Sequence, residues 1–171
     1  MKISLKKVKL LALFALAVSA SYAGALKVRQ TAGKSDNALT AAEKKAGYTL
    51  LFDGKTIDKW WRGFRKEGVP SGWAVEDGAI TLSGKGAGDL ITKNQYENYE
   101  LLLDWKISEG GNSGIIYNVS EDPQYGATYH TGPEMQVLDN EKHPDAKQGK
   151  NGNRQAGANY DMIPLSEPAV N

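Results

Sequence analysis

From Tyr48 onward the chain breaks into short β-forming runs separated by glycine turns, and no other feature restricts the fold as much. "YTLLF" ends at "DGK", "WAVEDGAITL" carries Asp77-Gly78 between two alternating runs, and "DLIT", "NYELLLDWKI", "SGIIYNV" and "PEMQVL" follow. Asp-Gly between such runs is a strong hairpin signal, because both residues tolerate the positive φ of a tight turn. In "NYELLLDWKI", alternation puts Tyr99, Leu101, Leu103 and Trp105 on one face, and Glu100, Leu102, Asp104 and Lys106 on a mixed, mostly polar face. No amphipathic helix separates the runs, so the expected fold over residues 48–171 is all-β, an antiparallel sandwich. The last segment, "NYDMIPLSEPAVN", follows a Gly/Asn/Lys-rich stretch from Lys147 to Gly157 and supplies no closing strand. The sandwich is therefore expected to be C-terminally incomplete, with unpaired edges.

The N-terminus is of another kind. "MKISLKKVK" is basic, "LLALFALAVSA" is apolar, and Ser21 and Ala23 are small residues suited to a signal peptidase. Together they predict a secretory signal peptide over residues 1–23, the apolar run being short of the roughly 20 residues that span a bilayer. The alternative, a buried helix, would carry a polar face. The chain has no cysteine, which excludes both a lipid-bearing Cys and disulfide staples, so a soluble exported protein, periplasmic or secreted, must rest on a packed core. Loss of the leader leaves 17 basic against 20 acidic groups, a net charge of −3. Such a chain has no electrostatic footprint for nucleic acid and no polybasic patch for a membrane surface. Residues 24–47 are expected to be a small, polar linker ending in a short helix, with Thr40 and Glu43 in a capping box and Gly47 closing it.

Chemistry concentrates in "GPEMQVLDNEKHPDA", which holds Glu134, Gln136, Asp139, Glu141, His143 and Asp145. In a strand, Glu134 and Gln136 point to one side, about 6–7 Å apart, while Met135 and Val137 anchor the other. Asp139 and Asn140 then end the strand and His143 lies in the following turn. Carboxylates and amides side by side suit sugar hydroxyls, and an acid/base group nearby suits proton transfer. An ordinary solvated turn is the competing reading, since Asn, Asp and Pro make turns for local reasons. His130, in "YGATYHTG", is either a surface residue or a second imidazole facing the same cleft. "EGGNSGIIY" brings Asn112, Ser113 and Tyr117 near a glycine-rich turn, but no following lysine or helix makes it a phosphate loop. "KWWRGFRKEGVPSGW" gathers Trp60, Trp61, Phe64 and Trp73 around Arg62 and Arg65; two of these rings are expected in the core and at most one on a binding surface.

The phrases "LFDGKTIDKWWRGF", "GWAVEDGAI", "DLITKNQYENYELLLDWKISEGGNSGIIYNV" and "GPEMQVLDNEKHPDA", in this order, resemble the 3-keto-disaccharide hydrolase domain family over residues 48 to about 161. The resemblance implies a concanavalin-like jelly roll in an exported protein acting on an oligosaccharide or glycoside. Family members continue for several strands beyond the point matched by Asn171, which is the second reason to expect an incomplete sandwich. It also implies chemistry at a sugar oxidised at C3: removal of the C2 proton, elimination of the C1 substituent, and addition of water. On that implication Glu134 or His143 is the proton-transfer group. Gln136 and Asn112 are hydrogen-bond donors, with Asp139, Tyr117 and Arg62 as further substrate-binding residues. The residues name no definite cofactor, but a divalent metal ion on the C3 carbonyl and C2 hydroxyl would suit the enolate, and Glu134, Asp139 and His143, with His130 as a further candidate, have ligand chemistry for one. Two alternatives stand beside this reading: a retaining glycosidase of laminarinase type with Glu134 and Asp139 as its carboxylate pair, and a non-catalytic carbohydrate-binding module.

Overall fold

The computed structural model of the chain describes residues 2–5, 36–84 and 86–166, the first four as backbone only. Of the expected leader, Lys2–Leu5 form strand β1, while its apolar run, its cleavage region and residues 24–35 of the expected linker lie outside the described residues. Among the described residues the protein is all-β: nine strands, one five-residue α-helix and two short 3-10 turns. The chain divides into two compact units.

In the first unit, β1 lies between β2 (Tyr48–Leu50) and β7 (Tyr99–Leu102), antiparallel to both. Helix α1 (Ala41–Lys45) precedes β2, and its capping box forms as the sequence predicts: Thr40 Oγ1 accepts from Glu43 N at 3.2 Å, and Glu43 Oε2 accepts from Thr40 N at 2.8 Å. β4 (Trp73–Glu76) and β5 (Ala79–Leu82) form the expected hairpin, with Asp77 at φ 48° and Gly78 at φ 74°. Asn37 Nδ2 donates to the Gly78 carbonyl at 2.8 Å and so ties the end of the expected linker to this turn.

Two expectations are corrected here. β7 stops at Leu102, which pairs with Lys2 of β1, and Trp105 beyond it is exposed. The buried apolar residues of this unit are Leu51, Phe52 and Ile57, whereas Trp60, Trp61 and Trp73 are each only partly covered. An indole is large and carries an N–H that needs a partner, so it is seldom sealed completely. Trp61 finds that partner in the Leu51 carbonyl, at 2.7 Å. β3 (Trp61–Gly63) pairs with β6 (Leu90–Thr92).

The second unit is organised by β8 (Asn112–Ile116) and β9 (Glu134–Leu138), an antiparallel pair that sets Asn112 opposite Leu138, Gly114 opposite Gln136 and Ile116 opposite Glu134. The far edge of β9 is also occupied. Gln136 N donates to the Ala158 carbonyl (2.9 Å), Gly157 N to the Gln136 carbonyl (2.7 Å), and Tyr160 N to the Glu134 carbonyl (2.8 Å). The Gly/Asn/Lys-rich stretch is thus folded back onto the hairpin. Ala146, Ala156, Ala158 and Asn153 are buried, and Ala146 and Ala156 pack against Leu138. Asn140 Oδ1 accepts from Ala156 N at 2.8 Å and fixes the approach. Arg154 then spans two carboxylates, donating from Nη1 to Asp145 (3.0 Å) and from Nε and Nη2 to Asp161 (3.0 and 2.9 Å). Burial pushes the Asp145 carboxyl up, but the Tyr160 hydroxyl (2.8 Å) and Arg154 outweigh it and hold the group below its ordinary range.

Leu138 is 1 % exposed, and its buried neighbours are alanines, too short to refill its space. Leu138→Ala is expected to destabilise the protein by about 2–5 kcal/mol. Urea unfolding checks this: the midpoint falls while the slope stays unchanged.

Candidate active site

Because Glu134 and Gln136 direct their backbone groups toward residues 157–160, they stand opposite β8 as non-hydrogen-bonded pairs, the closer kind, in which side chains crowd together. The crowding is relieved at Gly114. A Cβ built there would lie 1.6 Å from Glu134 Oε1 and 2.4 Å from its Cδ. The carboxyl of Glu134 therefore lies across β8, in a space that only glycine leaves open.

In this position Glu134 is half-buried, and burial, joined by the negative charge of Asp89, pushes its carboxyl above the ordinary glutamate range. Asp89 is itself held in place: its Oδ2 accepts the Thr128 hydroxyl at 2.6 Å, and Thr128 is 2 % exposed. Thr128 opens the 3-10 turn Thr128–His130, whose carbonyl bonds from Thr131 N and Gly132 N lead straight into β9. A carboxyl that is partly withdrawn from water, beside a second and anchored carboxylate, is the pattern of a proton-transfer site.

The other residues singled out in the sequence fall in different places. Gln136 shares the face of Glu134, as alternation requires, but it is 1 % exposed and its Oε1 accepts from Val137 N at 3.1 Å. The expectation that it would line a groove beside Glu134 is not met in this geometry, because the segment folded back from residues 146–160 encloses that end of β9. Asn112 is exposed at the start of β8, on the same face as Gly114. Tyr117 follows β8, half-buried, with its N–H on the Pro133 carbonyl at 3.1 Å.

Arg62 is engaged elsewhere. It clasps Glu121 through Nη1 (2.9 Å) and Nη2 (2.5 Å), an interaction that raises the arginine and lowers the glutamate from their ordinary values. Asp139 accepts Gly110 N at 2.7 Å through Oδ2, and Glu141 N and Lys142 N at 3.0 and 3.2 Å through Oδ1. These backbone donors, that of Gly110 first, hold its carboxyl below the usual carboxylate range. Asp139 thus joins the two ends of the hairpin. His143 caps the second 3-10 turn (Pro144–Lys147), its Nδ1 accepting from Asp145 N at 3.2 Å, which leaves Nε2 to carry the proton of the neutral ring.

The expected metal set is therefore not assembled. Both carboxylate oxygens of Asp139 and Nδ1 of His143 accept from backbone N–H groups, and among the described residues no three His, Cys, Asp or Glu side chains converge as a metal ion would require. Sequence reasoning also missed Asp89 and Thr128. "GAGDLIT" and "GATYHTG" carry no local mark that their side chains meet across 39 positions.

Residues 47–171 match the 3-keto-alpha-glucoside-1,2-lyase-like domain family. The chain is 42 % identical over 163 residues to a 3-keto-disaccharide hydrolase from Bacteroides thetaiotaomicron, an alignment that covers 86 % of this chain and 54 % of that protein. It thus spans about half the length of that curated relative. It is also similar to a solved structure of a candidate glycosyl hydrolase from Parabacteroides distasonis, at a TM-score of 0.66 and 39 % identity, with 80 % of this chain and 64 % of that one covered.

Two outcomes follow from the electrostatics. Carbon-13 carboxyl titration should find Glu134 protonating above the ordinary glutamate range, and Asp89→Asn should move it downward while the amide oxygen still accepts from Thr128. Asp139 has the opposite sign: its lowered value means that it stabilises the fold above its unfolded pKa, near 3.9, and that this contribution is lost as pH falls through the folded value. Asp139→Ala is expected to lower the melting temperature at neutral pH and to narrow the gap to wild type in acid, as read by thermal melts at both pH values.

Proposed function

This chain belongs to the 3-keto-alpha-glucoside-1,2-lyase-like domain family, and from that premise we propose that it is a carbohydrate-active hydrolase cleaving 3-keto-glycosides by proton transfer at C2. The observation that carries the reading is Glu134, a half-buried carboxyl with a raised pKa lying across Gly114 beside Asp89.

In such a substrate the C3 carbonyl acidifies the C2–H bond. Glu134, as carboxylate, accepts that proton, and the electron pair forms the C2–C3 enediolate. The pair returns as the C1–O bond breaks, which leaves a C1–C2 double bond conjugated to the carbonyl, and the departing oxygen takes up a proton. Water then adds its hydroxyl to C1 while C2 regains a proton. One water is consumed, the C3 carbonyl is unchanged, and no oxidant or reductant is needed. A raised carboxyl pKa favours the first step, since a stronger base transfers a carbon-bound proton more readily. Asn112, exposed on the same strand face, is proposed to bond a sugar hydroxyl, with Gln136 packed behind and Tyr117 flanking. The basic and apolar leader supports work outside the cytoplasm, in the periplasm or medium.

The decisive assay offers the purified protein a plain disaccharide and its 3-keto form. Sugar release from the keto form is expected; release from the plain form alone would reject the reading. Glu134→Gln should reduce turnover by about 10²–10⁴-fold. It should do so without lowering the neutral-pH melting temperature, because a carboxyl whose pKa rises on folding disfavours the folded state when ionised.

A further inference from the structure

Tyr129 is the most exposed large apolar side chain among the described residues, at 68 %. A lone exposed aromatic is ordinary on a protein surface. This one has a second ring against it. The ring of His130 meets it edge-on, with centroids 4.8 Å apart and planes at 86°. His130 is fixed in turn by Gly126 N, which donates to its Nδ1 at 3.2 Å and leaves Nε2 to carry the proton of the neutral ring. The turn beneath is anchored by buried Thr128, whose carbonyl accepts from Thr131 N and Gly132 N at 3.2 and 3.1 Å, and whose hydroxyl bonds Asp89. Tyr129, a water-facing phenol ring, therefore directly follows the residue that anchors the carboxylate acting on Glu134.

We propose that Tyr129 and His130 form a sugar-binding platform at the edge of the Glu134 site. A pyranose ring carries a face of C–H groups polarised by the neighbouring oxygens, and such a face is attracted to the negative π-surface of an aromatic ring. The donor at His130 Nε2, beside the ring, supplies one directional bond to a hydroxyl. A flat apolar surface with a few placed polar groups is how small-molecule sites combine affinity with orientation. The ring seated here is the second sugar of the disaccharide, joined to the one whose C2–H faces Glu134. The platform rests on the proposed function only for the identity of that neighbouring sugar.

Calorimetric titration of the full chain with an unoxidised disaccharide, and with its component monosaccharide, tests the platform separately from the reaction. Tyr129→Ala is expected to weaken disaccharide binding about tenfold. It should also erase the preference over the monosaccharide, whereas Tyr129→Phe, which keeps the ring face, retains both. Because Tyr129 is exposed, the melting temperature should not move in either variant. Disaccharide affinity unchanged in Tyr129→Ala, or undetectable in the wild type, overturns the platform. Tyr129-dependent binding in a protein that does not turn over the 3-keto disaccharide upholds the platform and defeats the proposed reaction instead.

Discussion

The second unit depends on β9 being paired along both edges. Met135 and Val137 face β8 along one edge, and Glu134 and Gln136 bond Gly157, Ala158 and Tyr160 along the other, so backbone groups on both sides of the strand find partners. This double pairing fixes everything else at the site. It selects which cross-strand pairs are close, hence the approach of Glu134 to Gly114. It also draws Asn153 and Ala156, from a stretch rich in glycine, asparagine and lysine, into the interior, where Ala146 and Ala156 are small enough to pack against Leu138. The clasp of Arg154 on Asp145 and Asp161 matters for the same reason, since it holds the returning segment in the geometry that occupies the edge of β9.

The charged groups then sort into two kinds. Asp139, Asp145, Asp161 and Glu121 have pKa values held down by donors made for them: backbone amides for Asp139, the Tyr160 hydroxyl with Arg154 for Asp145, and chiefly an arginine for the other two; they stabilise the fold when ionised. Glu134 moves the other way, upward. It has lost water without gaining a cation, and it has Asp89 beside it. A group in that state opposes folding when charged and is reactive toward protons, which is the usual relation between a working site and the scaffold that carries it. The contrast also explains why Asp139 and His143, equally polar in sequence, read differently in space: each serves as a cap for neighbouring backbone N–H groups.

The β-runs, the Asp77-Gly78 hairpin, the capping box at Thr40 and the strand carrying Glu134 and Gln136 on one face were all legible in the sequence, because each depends on interactions within a few residues or on a fixed period of two. The site was legible only in part. Glu134 stood out as a carboxylate on a strand, yet nothing local distinguishes it from Glu100 or Asp139, and nothing in "SGIIYNV" says that Gly114 is the residue beneath it.

What the sequence determined by itself was therefore the class of structure and the direction in which side chains point along each strand, since alternation and turn chemistry act through neighbours in the chain. Tertiary structure decided which polar groups are exposed and which carboxyl is tuned. Gln136 became buried when residues 146–160 closed over it, and the Glu134 carboxyl was pushed upward by burial and then by Asp89, 45 positions away in the chain. Burial and long-range charge are properties of the packed whole, because the free energy of an ionised group depends on the water and charges around it and not on its neighbours in sequence.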